Sequence, residues 1–312
     1  MNGLQLSRDY FFSIAEPALK RDYPDIFPRL AAGLAGNGSE CFGYDDELSR
    51  DHDWGIDFYI WLLNEDIKEI TALENWKRAL FKAHPPIFER ARSEYGAHIN
   101  VMTCANFYEQ LIGSPNGPST IPEWLRIPEE NLAMAVNGDV FIDGPQAFSK
   151  TRSYLLDYYP EDIRKKRIAA KCMAIAQTGQ YNHARTAKRH DWVTLRSILS
   201  RFSDSIIAIA FLLNRTYKPY YKLAFRSMSS LPILGADLSQ LLMTLSEIGG
   251  FDDESLHKQK TTISQICKLV VDELRAQSLC SSDDWFLATH GEEVRSSIKD
   301  DFLRNLPTQY DI

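Results

Sequence analysis

Gly36-Asn37-Gly38-Ser39-Glu40-Cys41-Phe42-Gly43-Tyr44-Asp45-Asp46-Glu47-Leu48-Ser49-Arg50-Asp51-His52-Asp53-Trp54-Gly55 is the stretch on which the reading of this chain turns. Gly38-Ser39 falls in a glycine-rich turn behind an apolar run, Arg29 to Leu34, that has the composition of a first strand. Backbone N–H groups in such a turn can face an anion, and a serine hydroxyl adds a hydrogen bond. Asp51 and Asp53 stand two residues apart in a run of strand composition, Asp51 to Leu63. Successive strand side chains alternate faces, so the two carboxylates point the same way and His52 the other. Two carboxylates on one face suit a hard cation such as Mg²⁺, which also takes substrate phosphates. The pattern describes a site for a nucleoside triphosphate and a metal ion.

Outward from this stretch, the first half alternates short apolar runs with helical ones. Asp66 to Ala83 reads as an amphipathic helix stopped by Pro85-Pro86, His98 to Cys104 as a third strand, and Asp139 to Ile142 as a short fourth. Beyond about residue 150 the period is helical almost throughout. Apolar stripes run over residues 168–176, 195–213, 238–248, 263–274 and 294–302, the third ending at Gly249-Gly250 as a helix C-terminus would. The expected fold is α+β: a mixed β-sheet with flanking helices over residues 1–150, then an all-α helical bundle over 151–312.

Composition narrows the function classes. The 312 residues are 44% hydrophobic and 25% charged, which excludes a disordered, collagenous or coiled-coil chain. The net charge of −7 argues against a general nucleic-acid coat. Residues 45 to 53 hold five of the acidic residues against one basic, so the acid is concentrated where a metal ion would sit. Residues 150 to 190 carry ten Lys or Arg against three Asp or Glu, which reads either as a solvated basic face or as a counter-face for a triphosphate. The five cysteines are scattered, with no C-x-x-C pair, and read as reduced, buried thiols. The start lacks the features of a signal peptide and the longest apolar run, Ile206 to Leu213, is too short for a membrane span, so the expected location is cytoplasmic. No Walker A loop, G-x-G-x-x-G, G-x-S-x-G or H-E-x-x-H occurs.

Gly38-Ser39-x-x-x-Gly43 followed by Ser49-x-Asp51-x-Asp53 resembles the signature of the DNA polymerase β-like nucleotidyltransferase superfamily, which includes the aminoglycoside and lincosamide nucleotidyltransferases. The fuller string through Trp54-Gly55 is similar to a bacterial family of unknown biological role within it. Gln177-x-Gly179-Gln180-Tyr181-Asn182 and Phe211-Leu212-Leu213-Asn214-Arg215-x-Tyr217-x-Pro219-Tyr220-Tyr221-Lys222 also resemble that family, so the likeness extends to about residue 235. It implies a Mg²⁺-dependent (or Mn²⁺-dependent) transfer of a nucleoside monophosphate, AMP from ATP foremost, to a hydroxyl with release of pyrophosphate. Asp51 and Asp53 would hold the metal, and Gly38 and Ser39 the terminal phosphates. The acceptor is expected to be a small molecule rather than a macromolecule, with no membrane partner.

The superfamily usually supplies a third carboxylate from a neighbouring strand. Here that strand offers Asn100, which ligates metals poorly and cannot act as a base. Asp57, of the same parity as Asp51 and Asp53, is one substitute; Asp139 and Asp143 are others. The alternative is a catalytically weakened nucleotide-binding sensor or toxin–antitoxin-type regulatory module. Lys218, Lys222 and Arg226, spaced by four, would share a helix face beside Tyr220 and Tyr221, with Lys222 and Arg226 as phosphate contacts and Tyr221 as a base-stacking partner.

Overall fold

The computed structural model describes residues 2–48, 54–88 and 100–312. The chain divides into two compact units, residues 1–158 and 159–312.

The first unit is built on a four-stranded mixed sheet of order β3-β2-β1-β4. β1 (Leu30–Leu34) lies antiparallel to β2 (Tyr59–Leu62), with Leu30 opposite Leu62 and Gly33 opposite Tyr59. It is also antiparallel to β4 (Asp139–Asp143), with Leu34 opposite Asp139 and an irregularity between Ala32 and Gly33. β3 (Val101–Thr103) runs parallel to β2. β1 is buried on both faces, which its small residues permit: a side chain at Gly33 would fall 2.3 Å from the Asp139 carbonyl oxygen and 3.0 Å from the Trp61 ring.

Helices cover both faces. α1 (Gly3–Tyr10) passes through a π-helical turn, Phe11–Ala15, into α2 (Glu16–Asp22), where Pro17, which has no N–H to donate, occupies the first turn. Phe11, Ala15 and Leu19 pack with Leu73 and Leu80 of α3 (Ile70–Ala83) against Leu30, Ala32, Ile60 and Val101. On the other face Trp61 stacks on Phe148, centroids 3.8 Å apart, and meets Phe107 edge-on. These come from α4 (Cys104–Ile112) and α7 (Ala147–Leu156), with α5 (Ile121–Arg126) and α6 (Glu129–Val136) between them in the chain.

The second unit is all helical among its elements: α8 (Glu161–Ile175), a π-helical turn Ala176–Asn182, α9 (His183–Ala187), α10 (Trp192–Leu213), α11 (Tyr221–Met228), α12 (Gly235–Glu247), α13 (Asp253–Ala276), α14 (Leu287–Ser296) and α15 (Asp301–Asn305). Its core is the apolar stripes of α8, α10, α12 and α13, with Leu287 and Val294 of α14. The α+β expectation with a helical second half is what the chain adopts. Two local expectations are corrected. The stripe Val294, Ile298, Phe302 is not one helix: Asp300 caps a new one by accepting from the Leu303 N–H, and Phe302 is left exposed. Gly249 and Gly250 close α12 without entering the left-handed region. No helix of the described residues is long and apolar enough to cross a membrane.

Candidate functional site

The topology gathers several of the sequence-predicted residues of the first unit at one end of the sheet. β1 ends there, and because β2 and β4 run antiparallel to β1 and β3 runs parallel to β2, all three other strands begin there. The Gly38-Ser39 turn, Asp57, Asn100 and Asp139 belong to these strand ends.

The turn after β1 is fastened to the turn before β4. Asn137 accepts from the Gly36 N–H (2.7 Å) and donates to the Gly36 carbonyl (2.8 Å), while the Gly138 N–H donates to the Cys41 carbonyl (2.8 Å). Glycine is compelled at 138: its φ is +67°, and a Cβ would lie 1.9 Å from the Leu34 carbonyl oxygen. Arg152 donates to the carbonyls of residues 136, 137 and 138, filling the acceptors this tight approach exposes. Gly38, at φ +117°, leads into a 3₁₀ turn, Glu40–Phe42, whose backbone is organised by the Ser39 carbonyl accepting from Phe42 and Tyr44. The buried Glu40 carboxylate lies against Gly38, within 2.6 Å of where a Cβ would stand. The Ser39 side chain makes no capping hydrogen bond to this turn.

The carboxylates around the turn are engaged by cations and donors. Asp45 Oδ2 accepts from the Gly3 N–H at the start of α1 (2.8 Å) and from the Trp54 indole (2.9 Å), so the residues on either side of 46–53 meet at the helix N-terminus. Asp57 Oδ1 accepts from the Lys77 ammonium (2.6 Å) and the Phe58 N–H (2.8 Å); its Oδ2 accepts from the Asn100 amide. Lys77 also donates to the Phe58 carbonyl and sits 4.5 Å from the Phe58 ring centre. Both are buried, Lys77 at 7% exposure and Asp57 at 9%. The structure thus brings Asn100 and Asp57 into direct contact, just ahead of the adjoining strands β3 and β2. Asp57, expected as one substitute for a third metal-binding carboxylate, is here paired with the Lys77 ammonium. Asp139 is likewise paired, with Arg8 of α1. Asp143 lies at the far end of β4, opposite Ala31, where it accepts from the Ser149 N–H (2.7 Å) in the first turn of α7.

Asp51 and Asp53 lie outside the described residues. Tyr221, Lys222 and Arg226 belong to the second unit, on α11, and all three are exposed. Tyr220 and Tyr221 pack with ring centres 4.4 Å apart. Two members of the basic excess over residues 150–190 are turned inward. Lys166, wholly buried, donates to the carbonyls of Pro307, Thr308 and Tyr310, and buried Arg164 reaches Glu161 and the Leu212 carbonyl. Burial lowers the Lys166 ammonium below its ordinary value. The two later motifs are structural where they can be followed. Gln180 clamps the Trp285 carbonyl and the Leu287 N–H, and Asn214 holds both the N–H and carbonyl of Ile233.

Lys77 and Arg8 are the residues that sequence reasoning passed over. Lys77 carried a signal, because it lies four residues after Leu73 and three before Leu80, on the apolar stripe of α3. Arg8 carried none: its partner is 131 residues away.

Compared with protein-family models, residues 124–223 match one described as a domain of unknown function (DUF4037). The match begins at α5 in the first unit and ends in α11 of the second. No curated protein and no solved structure matches the chain.

Proposed function

We propose that the first unit is a nucleotidyltransferase that binds a nucleoside triphosphate with Mg²⁺ and transfers the nucleoside monophosphate, most readily AMP from ATP, to a hydroxyl of a small-molecule acceptor. The observation that carries this reading is the convergence, at one end of the sheet, of the Gly38-Ser39 turn with Asp45 and Trp54, the residues that flank the Ser49-x-Asp51-x-Asp53 motif. Asp57 and Asp139 are each paired with a cation, and the reading assigns the divalent cation to Asp51 and Asp53. Two hard carboxylates suit Mg²⁺, which fills its remaining positions with water and phosphate. When bound, the ion neutralises charge at the α-phosphate. The chain's own part is to hold the polyphosphate on the turn at Gly38, with the Ser39 hydroxyl as donor. The acceptor oxygen then forms its bond to the α-phosphorus as the bond to pyrophosphate breaks, and the hydroxyl proton leaves to solvent.

One observation favours a second reading, in which nucleotide is bound without efficient transfer. Asp57, which accepts from the Asn100 amide, is paired with Lys77 and is no free base in this arrangement. Incubation with each labelled NTP, Mg²⁺ and a panel of hydroxyl-bearing acceptors separates the two. Release of pyrophosphate that disappears in Asp51→Asn with Asp53→Asn supports transfer. Calorimetric binding of Mg·NTP without pyrophosphate release supports the sensor, and absence of binding removes both.

A further inference from the structure

In the second unit the loop between α13 and α14 and one face of α14 bring together a thiol, an imidazole and a carboxylate. Ligand atoms of Cys280, His290 and Glu293 all lie within 4.8 Å of one another, the first two buried and the third half-buried. His290 and Glu293 are three residues apart on α14 and so share a face. His290 Nε2 stands 2.7 Å from the Asp284 carbonyl oxygen, which can only accept, so this nitrogen carries the hydrogen. Nδ1 faces Cys280 Sγ, 3.2 Å away. An imidazole whose outer N–H is tied to a carbonyl while the other nitrogen faces a thiol is held as metal-bound histidines are held.

We propose that Cys280, His290 and Glu293 form a site for a thiophilic divalent cation, Zn²⁺, independent of the nucleotide reading of the first unit. Tetrahedral Zn²⁺, with bonds of about 2.3 Å to sulfur and about 2.0 Å to nitrogen, sets these two ligands about 3.5 Å apart. The Cys280–His290 pair needs to open by only about 0.3 Å to admit it. Glu293 Oε1 accepts from the Ser281 N–H (2.7 Å) and hydroxyl (2.6 Å), and Oε2 accepts from the Ser282 N–H (3.1 Å), which leaves Oε2 with lone-pair capacity for a cation. These donors also orient the carboxylate. Water completes the fourth position. In the metal-free chain the Cys280 S–H faces His290 Nδ1. Metal binding sends that proton to solvent, and thiolate, neutral imidazole and carboxylate then take the ion.

The competing description is an S–H···N hydrogen bond within the fold, with Glu293 serving only as a cap for the turn at Ser281. Titrating the reduced full-length chain with Co²⁺ as an optical probe distinguishes them. One equivalent is expected to bind with a near-ultraviolet thiolate-to-cobalt charge-transfer band, and Zn²⁺ displaces it. Calorimetry with Zn²⁺ in buffers of different ionisation enthalpy is expected to report about one proton released per ion. Cys280→Ser abolishes the band, and Glu293→Gln, half-buried and of equal size, weakens the affinity about tenfold or more without unfolding the chain. Absence of the band in the unaltered chain, or an undiminished band in Cys280→Ser, overturns the proposal. Where Cys280→Ser does not fold, an affinity unchanged in Glu293→Gln does the same.

Discussion

Lys77 occupies a place on α3 where an apolar side chain would ordinarily pack, and its partner Asp57 is equally enclosed. Two buried charges are costly to desolvate, and the pair is held because each finds several partners: Lys77 has Asp57 and the Phe58 carbonyl, and Asp57 has Lys77, the Phe58 N–H and Asn100. Removing one member leaves the other charged and enclosed. Lys77→Met is therefore expected to cost about 3–5 kcal/mol in the urea midpoint, whereas adding Asp57→Asn to it restores part of that loss. The coupling from the double-mutant cycle should be about 1–3 kcal/mol. Additive losses would show the two side chains to be energetically separate. The same contact lies beyond what the sequence pattern shows at Asp57. Strand parity aligned Asp57 with Asp51 and Asp53, but its contact with Asn100 and the cation supplied from α3, 20 residues away, follow from the tertiary fold.

Among the elements, the π-helical turn Ala176–Asn182 is set by a glycine whose need is spatial. A Cβ at Gly179 would come 2.5 Å from the Phe202 ring of α10 and 2.9 Å from Ile263 of α13. Gly179→Ala is expected to overpack this junction and destabilise the chain by about 1–3 kcal/mol, lowering the thermal midpoint. Gly249→Ala is the control: nothing lies within 4 Å of its Cβ and its φ is ordinary, so the change should stay within about 0.5 kcal/mol of neutral. Equal effects would sink the packing argument. Element by element, the sequence was most readable where a period repeats. The stripe Leu195 to Leu213 lies wholly within α10, and the run Arg29 to Leu34 contains β1. It was least readable where a single residue interrupts the period, as at Asp300, or where long-range hydrogen bonds define the turn, as between Asn137 and Gly36. The site followed the same division. The Gly38-Ser39 turn was legible from local pattern, but its anchoring by Asn137, Gly138 and Arg152 reaches across a hundred residues. No spacing rule contains that information.

For the molecule as a whole, charge and core divide along the same boundary. Residues 1–158 hold 24 acidic residues against 14 basic, and residues 159–312 hold 18 against 21, so the first unit is acidic and the second slightly basic. Each unit also has a hydrophobic cluster of its own. Acid sensitivity should follow this division, because His183 is buried in the second unit, its Nε2 2.9 Å from Gln259 Oε1, and Gln259 is itself wholly enclosed. Burial lowers the His183 imidazole below its ordinary value of 6.5. Well above pH 6.5 the ring is neutral in folded and unfolded chains alike, and it contributes no pH dependence. As pH falls below 6.5 the unfolded chain takes up a proton that the folded chain resists, so stability declines until the folded value is passed. The slope for one such proton is at most about 1.4 kcal/mol per pH unit. Between pH 7 and pH 5 the second unit's unfolding transition is expected to move to lower urea in the unaltered chain, and to move less in His183→Asn, whose amide can still donate to Gln259 but does not titrate. Calorimetric or urea unfolding at both pH values measures the two slopes. Parallel slopes would assign the acid sensitivity to other groups, whereas a flatter variant places it in the buried contact between α9 and α13.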